Sequence, residues 1–599
     1  MTPTPALPAP RRPRARRASG PAGSVATGAA TGALLAALAA AGPASADIAA
    51  QTVREEFERE FERLGTDVEV GAEEAEGGAV TLSDVALSFE FTETDSPGEE
   101  DEADAPGEGD EAEGPETVRV ESRFETVAFE ERPDGTVRVT LSPEGRMTIR
   151  STEVGTGEED VLEFRLLAEG FEMTVAEEAA AEDGGEDGGE DGEPGRRYAY
   201  AADRLGLVLE EATEDGEPVE ASAEAFATGY AGATRTAPGA GPSGEATRYA
   251  TADTLDELSV SLDLPAGEAE DGAPGDAGTE DAGAAAAGRV RLDWRAADLA
   301  LEGEATVPPI DAPGEAQAGE AQAGEDLAAL LEGGLAVEGT LRQGAGSQRF
   351  ATEGAPEGDM VVSTESEGGV TEIGLDAEAL RLATRGQGVS YAVEGGGLPV
   401  PRLQAALAAT ELALELPLAE GEEARPFALR LALSDLTLNE DVWSLLDPES
   451  RLPRDPAELL VSLEGRMRVL ADLFAEPERA AAAADAPPAA EVEEARLALN
   501  LEALGAAVEA EGDFAFDNDD TTTFDGMPAP TGTLVIEARG IDALLDTLTE
   551  MGLVPSDQLM PARLMLGLFA RPDGEGGYRS EIAVDGDTGE VTANGQRLR

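Results

Sequence analysis

TLSDVALSFEF, Thr81 to Phe91, is the stretch that decides the fold class. Thr81, Ser83, Val85, Leu87, Phe89 and Phe91 fall on every second position, with Asp84, Ser88 and Glu90 between them. A period of two is that of an extended strand with one apolar face. The same rhythm recurs in Val118, Val120 and Phe124, then in Val137, Val139 and Leu141, which are expected to pair with Met147 and Ile149. Between two such runs stands Arg132-Pro133-Asp134-Gly135, a hairpin signal: proline presets its backbone angle and glycine accepts positive ones.

Further along come Leu205, Leu207, Leu209; Leu258, Val260, Leu262; and Val290, Leu292, Trp294. After them come Leu412, Leu414, Leu416; Leu429, Leu431, Leu433; Leu497, Leu499, Leu501; and Leu534, Ile536. Many short alternating runs with few helical intervals imply a mainly β chain with a few helices. The expected architecture is a long curved antiparallel sheet, sandwich-like or an open groove, with an N-terminal helix and a C-terminal helix pair.

The N-terminal helix starts at Asp47 as cap and carries Val53, Phe57, Phe61 and Leu64 on one face, ended by Gly65. A second is expected over Ile541 to Met551, with Gly552 and Pro555 as stops. A third begins at Ser556, carries Leu559, Arg563, Leu564, Leu568 and Phe569, and breaks at Arg571-Pro572-Asp573-Gly574. Trp443, Leu445 and Leu446 mark one more helical turn. Gly98 to Glu116, Ala181 to Gly195, Ala237 to Ala246, Ala266 to Gly288 and Asp311 to Asp326 are rich in Gly, Pro, Ala and acid. Nearly free of large apolar groups, they cannot offset the entropy of ordering and read as solvated insertions.

The first residues form an export signal. Arg11, Arg12, Arg14, Arg16 and Arg17 precede an apolar run around Ala29 to Ala41, and Ala44-Ser45-Ala46 supplies small residues before a cut between Ala46 and Asp47. The run is mostly alanine and shorter than the roughly 20 apolar residues that span a bilayer, so no transmembrane anchor is expected in the mature form. This places the mature chain in the periplasm. Its regions read as 1–46 signal peptide, 47–235 N-terminal β-rich, 236–420 middle β-rich, and 421–599 C-terminal β plus α.

Cleavage leaves 37 basic residues, all arginine, of the original 42, against 125 Asp plus Glu, a net charge of −88. That field repels phosphate backbones and excludes nucleic acid as an expected partner. Histidine, cysteine and lysine are missing, so imidazole bases, thiol nucleophiles, Schiff bases and the usual zinc and haem ligands are ruled out. Disulfides cannot staple the fold, although the compartment would permit them.

Carboxylate chemistry is what remains. Asp587-Thr588-Gly589 spells the aspartic-protease triplet, but it follows Asp585-Gly586 and has no second copy, which makes it a β-turn. Asp517-Asn518-Asp519-Asp520 opens like a calcium loop, yet Thr521 and Thr522 follow and no glutamate closes it at the twelfth position. The Glu-Asp-Gly-Gly repeats of Glu182 to Gly192 lack the aliphatic residue of a calcium-binding β-roll. No catalytic, cofactor-binding or metal-binding residue is therefore expected, and no cofactor.

PFALRLALSDLTLNEDVWSLLDP (Pro426 to Pro448), LPRDPAELLVSLEG (Leu452 to Gly465) and FDNDDTTTFDGMPAPTG (Phe516 to Gly532) carry a resemblance. So do GLVPSDQLMPARLMLGLFARP (Gly552 to Pro572), ANGQRLR (Ala593 to Arg599) and TLSDVALSF (Thr81 to Phe89). In these words the chain resembles exported alphaproteobacterial proteins of domain-of-unknown-function family 2125. The resemblance implies an exported periplasmic protein and supplies no activity. The functional expectation is a non-enzymatic β-rich envelope protein holding lipid or another apolar ligand on an aliphatic sheet face. The alternatives are a carboxylate-dependent hydrolase of envelope polysaccharide, which needs two carboxyls at roughly 5 to 10 Å, and a purely structural acidic protein without a ligand. Asp525, Gly526 and Pro528, beside the helix pair, form the candidate recognition turn, with a rigid Gly/Pro turn as the structural alternative.

Overall fold

The computed structural model describes residues 48–63, 65–93, 116–153, 159–178, 195–214, 216–241, 244–266, 288–308, 323–354, 358–471, 473, 489–574 and 576–599. The expected signal and its Ala46/Asp47 cut lie outside them, as do Leu64, the Glu-Asp-Gly-Gly repeats and most of the acidic stretches. Helix α1 (Ala50–Arg63) buries Val53, Phe57 and Phe61 on one side. Gly65 follows at φ 76°, the left-handed position that ends a helix.

Strands β1 (Asp67–Glu76), β2 (Ala79–Glu93) and β3 (Glu116–Glu131) form an antiparallel meander. β3 is long enough to carry two partners side by side. β4 (Val137–Leu141) pairs with its C-terminal part and β5 (Glu144–Glu153) with its N-terminal part. β6 (Glu159–Glu169) then adds to β5, and β7 (Glu172–Glu178) to β4. β8 (Gly195–Glu214) closes the unit by pairing with both, and the two-residue β9 (Glu217–Pro218) folds back on its end. The Arg132–Gly135 turn joins β3 to β4 as expected, with Gly135 at φ 83°. The expected pairing of Val137 and Val139 with Met147 and Ile149 is corrected: their partners are Val175 and Met173, while Met147 and Ile149 lie opposite Ser122 and Val120. A long β3 offers both halves to different strands, and local periodicity does not reveal that.

Three long strands follow, β10 (Ser222–Gly241), β11 (Gly244–Pro265) and β12 (Arg289–Val307), and then α2 (Ala323–Glu332). The split unit now recurs. β13 (Ala336–Gln343) and β14 (Gly346–Glu353) take the C- and N-terminal parts of β12. β15 (Met360–Ser366) adds to β14, β16 (Gly368–Leu375) to β13, and β17 (Ala379–Gly395) pairs with both. Two stretches read as insertions are ordered here. Ala237–Gly241 and Gly244–Ala246 form the paired ends of β10 and β11, where backbone pairing compensates for the small side chains, and Ala323–Asp326 begins α2.

The sheet continues through β18 (Arg402–Pro417) and β19 (Arg425–Leu438) to the short α3 (Glu440–Leu446), which buries Trp443. β20 (Ala457–Val469), β21 (Ala490–Ala503), β22 (Ala506–Asp517) and β23 (Ala529–Arg539) follow in antiparallel order. The helix pair α4 (Ile541–Glu550) and α5 (Ser556–Phe569) precedes β24 (Arg571–Pro572), β25 (Tyr578–Asp585), β26 (Glu590–Ala593) and β27 (Gln596–Arg597). All 27 strands of the described residues belong to one antiparallel sheet, and β10 and the β18–β19 pairing carry it unbroken past the sequence boundaries at 235 and 420.

Left-handed residues inside the strands phase this sheet. Asp84, Asp298 and Asp435 stand at φ 52°, 51° and 52° inside β2, β12 and β19, and Gly229 and Gly388 at 63° and 58° inside β10 and β17. Asp is one of the few side chains that visits this region. The register runs on unchanged past Asp84, Asp298, Gly229 and Gly388, so no residue is inserted there, and the left-handed residue moves the inward-facing parity by one; at Asp435 the β19–β20 register also slips, between Leu433 and Leu436. Thus Val80 and Leu82, not Thr81 and Ser83, share a buried face with Val85 and Leu87. The sequence reading carried one phase through Asp84, and this is where it slips.

Candidate ligand-binding face

From β12 to β25 one face of the sheet is largely aliphatic. Following partners across the strands from β12, a single row runs Leu301, Leu341, Thr371, Thr384, Leu412, Leu431, Val461, Leu499, Ala510, Ile536. The neighbouring row runs Gly303, Gly339, Ile373, Leu382, Leu414, Leu429, Leu463, Leu497, Gly512, Leu534, Ile582. The opposite face carries the charge. Arg342 pairs with Glu302, Arg385 with Glu372, Arg430 with Glu411, Arg496 with Asp513, Arg539 with Glu509 and Arg579 with Glu537. These pairs are largely exposed and screened by solvent, so they keep that face wet more than they hold the sheet together.

Burial along the apolar face is uneven. In β2–β8 it is a closed core: Val85, Phe129, Val137, Val139, Val175 and Tyr198 are at most 1% exposed, with α1 laid over part of it. A second buried cluster, Val120, Met147, Phe164 and Leu207, lies separate from it. From β12 on, the same face is uncovered. Leu301, Leu341, Ile373, Leu412, Leu429 and Leu501 remain 37–44% exposed, and each points to that face by register. At about 1.5–3 kcal/mol for burying a whole aliphatic side chain, each leaves roughly 0.5–1.3 kcal/mol of burial unrealised.

A polar cluster stands where the closed core meets the uncovered face. Tyr200, Gly232 and Asp253 lie opposite one another on β8, β10 and β11, and Asp253 is the direct neighbour of Leu301. Tyr200 Oη donates to Asp253 Oδ1 at 3.0 Å and lies 2.8 Å from Thr234 Oγ1. Thr251 Oγ1 donates to Asp253 Oδ2 at 3.2 Å and lies 3.2 Å from Thr234 Oγ1. The Tyr230 ring stacks on Tyr200, centroids 5.4 Å apart and 16° from parallel. Gly232 makes the arrangement possible, because a Cβ there would fall 1.9 Å from Asp253 Oδ1 and 2.7 Å from Tyr200 Cε2. Burial raises the Asp253 carboxyl above its ordinary value against the pull of the Tyr200 and Thr251 hydroxyls. Burial also raises both tyrosines, and Asp253 adds to that.

A second buried charge ties α1 to the sheet. Arg196 Nη2 donates to Glu56 Oε1 at 2.7 Å, with both side chains almost fully buried. Burial raises the Glu56 carboxyl more than Arg196 and Arg59 lower it.

Asp525 and Gly526 occupy the tip of a tight turn at φ 55° and 100°, the pair of positive angles that an Asp-Gly hairpin turn uses, bridged by Phe524 and Met527. Arg599 reaches back to it, contacting Asp525 at 3.5 Å and the Phe524 ring. Pro528 is half-buried beside it, and the turn does not adjoin Tyr200 or Asp253 in the pairing order. Asp520 accepts from the backbone and hydroxyls of Thr522 and Thr523 and is held down to about 2 by them, so the calcium-like stretch is a hydrogen-bonded turn. Asp585 receives Thr588 N–H, and Gly589 at φ 67° closes the turn of the Asp-Thr-Gly triplet. Among the described residues no cluster of three or more acidic side chains is placed to hold a metal ion, and no helix is long and apolar enough to cross a membrane.

An open cavity of about 720 Å³ lies across β12, β13 and β16–β19. By register most of its lining, including Glu338, Glu372, Ala383, Ala413, Ala428 and Arg430, belongs to the charged face, so it is not the aliphatic surface. Sequence reading found the leucine rows but missed Tyr200, Tyr230 and Asp253, which are 53 residues apart at most and meet only through the β8–β10–β11 register. The one sequence signal was the Tyr198-Ala199-Tyr200 alternation. No protein-family model, no curated protein and no solved structure matches this chain.

Proposed function

We propose that this chain is a non-catalytic, exported envelope protein that holds lipid or another apolar ligand along its aliphatic sheet face. The observation that carries the reading is the exposure of Leu301, Leu341, Ile373, Leu412, Leu429 and Leu501 on one continuous surface of a sheet whose N-terminal part buries the same surface. Contiguous apolar area of this extent marks a site that something covers. At the interstrand spacing of about 4.8 Å, the strands from β12 to β26 run for on the order of 60 Å, room for several acyl chains side by side. The arginine cluster, the Ala29–Ala41 run and Ala44-Ser45-Ala46 support export to the periplasm, as does the resemblance to the exported family. The test is solvent extraction of the purified protein and mass spectrometry of the extract. Lipid at near-stoichiometric amount is expected from the native chain, and its loss from Leu412→Glu; lipid-free native protein that also fails to take up added lipid refutes the reading.

A further inference from the structure

An amphiphile on this surface needs somewhere to put its polar end, and the aliphatic rows offer little for it. The one polar cluster at their head has a definite chemistry. The groups acting on the Asp253 carboxyl are the neutral hydroxyls of Tyr200 and Thr251. Among the described residues its hydrogen-bond partners are neutral hydroxyls, so when ionised it has no opposite charge bonded to it, which favours a cation and penalises an anion. Beside it stand two stacked tyrosine rings, and an aromatic face next to a carboxylate is a recognised surface for an alkylated or primary ammonium group. Asp253 is also opposite Leu301, which is opposite Leu341, so a chain attached to that head leads directly onto the exposed row.

We propose that Tyr200, Tyr230 and Asp253 seat the ammonium head of an amphiphile whose chain lies along Leu301 and Leu341. This rests on the apolar-face reading above and adds the head-group class. The full chain is titrated calorimetrically, at physiological salt and below micelle concentrations, with dodecyltrimethylammonium, with lauric acid, and with tetramethylammonium, which has the head without the chain. The expected result is that dodecyltrimethylammonium binds at least about tenfold more tightly than laurate, the scale of a cation held over an aromatic face beside a carboxylate, and that tetramethylammonium shows no comparable affinity. Asp253→Asn, which keeps the shape and one acceptor oxygen but not the charge, should bring that ratio close to one, and Tyr230→Leu should weaken the ammonium probe alone. Glu365→Gln, on the charged face by register, should leave the ratio unchanged and so separates the site from the general field of an acidic protein.

An unchanged ratio in both Asp253→Asn and Tyr230→Leu overturns the head-group assignment while leaving the apolar face in place. An equal fall in Glu365→Gln overturns it as a field effect. Tight binding of tetramethylammonium alone shows a free-cation site and overturns the amphiphile. Failure of both long-chain probes to bind, in the native chain and in Leu301→Glu alike, overturns the underlying reading instead.

Discussion

Replacing Arg196 by methionine tests how α1 is held over the closed part of the sheet. The guanidinium and Glu56 are 2% and 5% exposed at the side chain, and their one hydrogen bond is 2.7 Å long. Nε and Nη1 of Arg196 and Oε2 of Glu56 have no further partner among the described residues. Such a pair repays little of its desolvation, in keeping with a Glu56 carboxyl that burial drives upward despite Arg196. Arg196→Met leaves that carboxylate buried alone and should destabilise the N-terminal part by about 3–5 kcal/mol. Glu56→Leu combined with Arg196→Met removes both charges and should be neutral or stabilising by up to about 4 kcal/mol. The sign with pH follows from the raised carboxyl: its contribution is full below the unfolded value near 4.5 and is lost as pH rises through the higher folded value. The single-variant penalty should therefore shrink in acid. Urea titration followed by circular dichroism, with hydrogen exchange read at α1 and β8, measures both variants. A double variant as unstable as Arg196→Met, or a single-variant cost below about 1 kcal/mol, refutes the reasoning.

Three further outcomes follow from particular contacts. Gly232→Ala forces a methyl into Asp253 and Tyr200, and the overpacking should cost about 1–3 kcal/mol and weaken the tyrosine–carboxylate bond; an unchanged thermal midpoint, with the near-ultraviolet tyrosine dichroism intact, argues against the packing described. Asn439 accepts from Val442 N and donates to the Arg402 carbonyl, so Asn439→Ala should lower stability by about 1–2 kcal/mol in a melt. Asp520 is lowered to about 2, so its support of the turn is present above the ordinary value of 3.8 and is lost as pH falls through about 2. The Thr522 and Thr523 amide shifts should titrate with that midpoint and cease to do so in Asp520→Asn; a midpoint near 3.8 contradicts the geometry.

The strands were legible because a period of two is written into neighbouring residues, and the rows Leu412–Leu416 and Leu429–Leu433 were read with the right face. The helices were legible for the same reason: Ser556–Phe569 starts at the serine expected and Ile541–Glu550 ends one residue before Met551. What a window of sequence could not carry was phase and partnership. Asp84 reads as one more polar position in an alternating run, and only its left-handed backbone, facing a Gly71 with no room for a Cβ, moves Val80 and Leu82 to the buried side. Strand partners of β4 lie beyond β5 and β6, a choice made by the length of β3. Tyr200 and Asp253 meet through two registers, β8–β10 and β10–β11, each silent in the sequence. The candidate turn at Asp525 was recognisable as a turn from its Asp-Gly pair, but nothing in that pair indicated where the aliphatic rows end.

Because the chain contains no cysteine, single cysteines can be placed on either face without background labelling. The central claim is that one face is apolar, uncovered and able to take an amphiphile, while the other is charged and wet. A solvent-sensitive dye is attached at Leu382→Cys and Leu412→Cys on the aliphatic rows and at Arg385→Cys and Arg430→Cys behind them, and its emission is recorded as phospholipid vesicles are added. The expected result is a blue shift at positions 382 and 412 with no change at 385 and 430; equal shifts on both faces, or none on either, contradict the account.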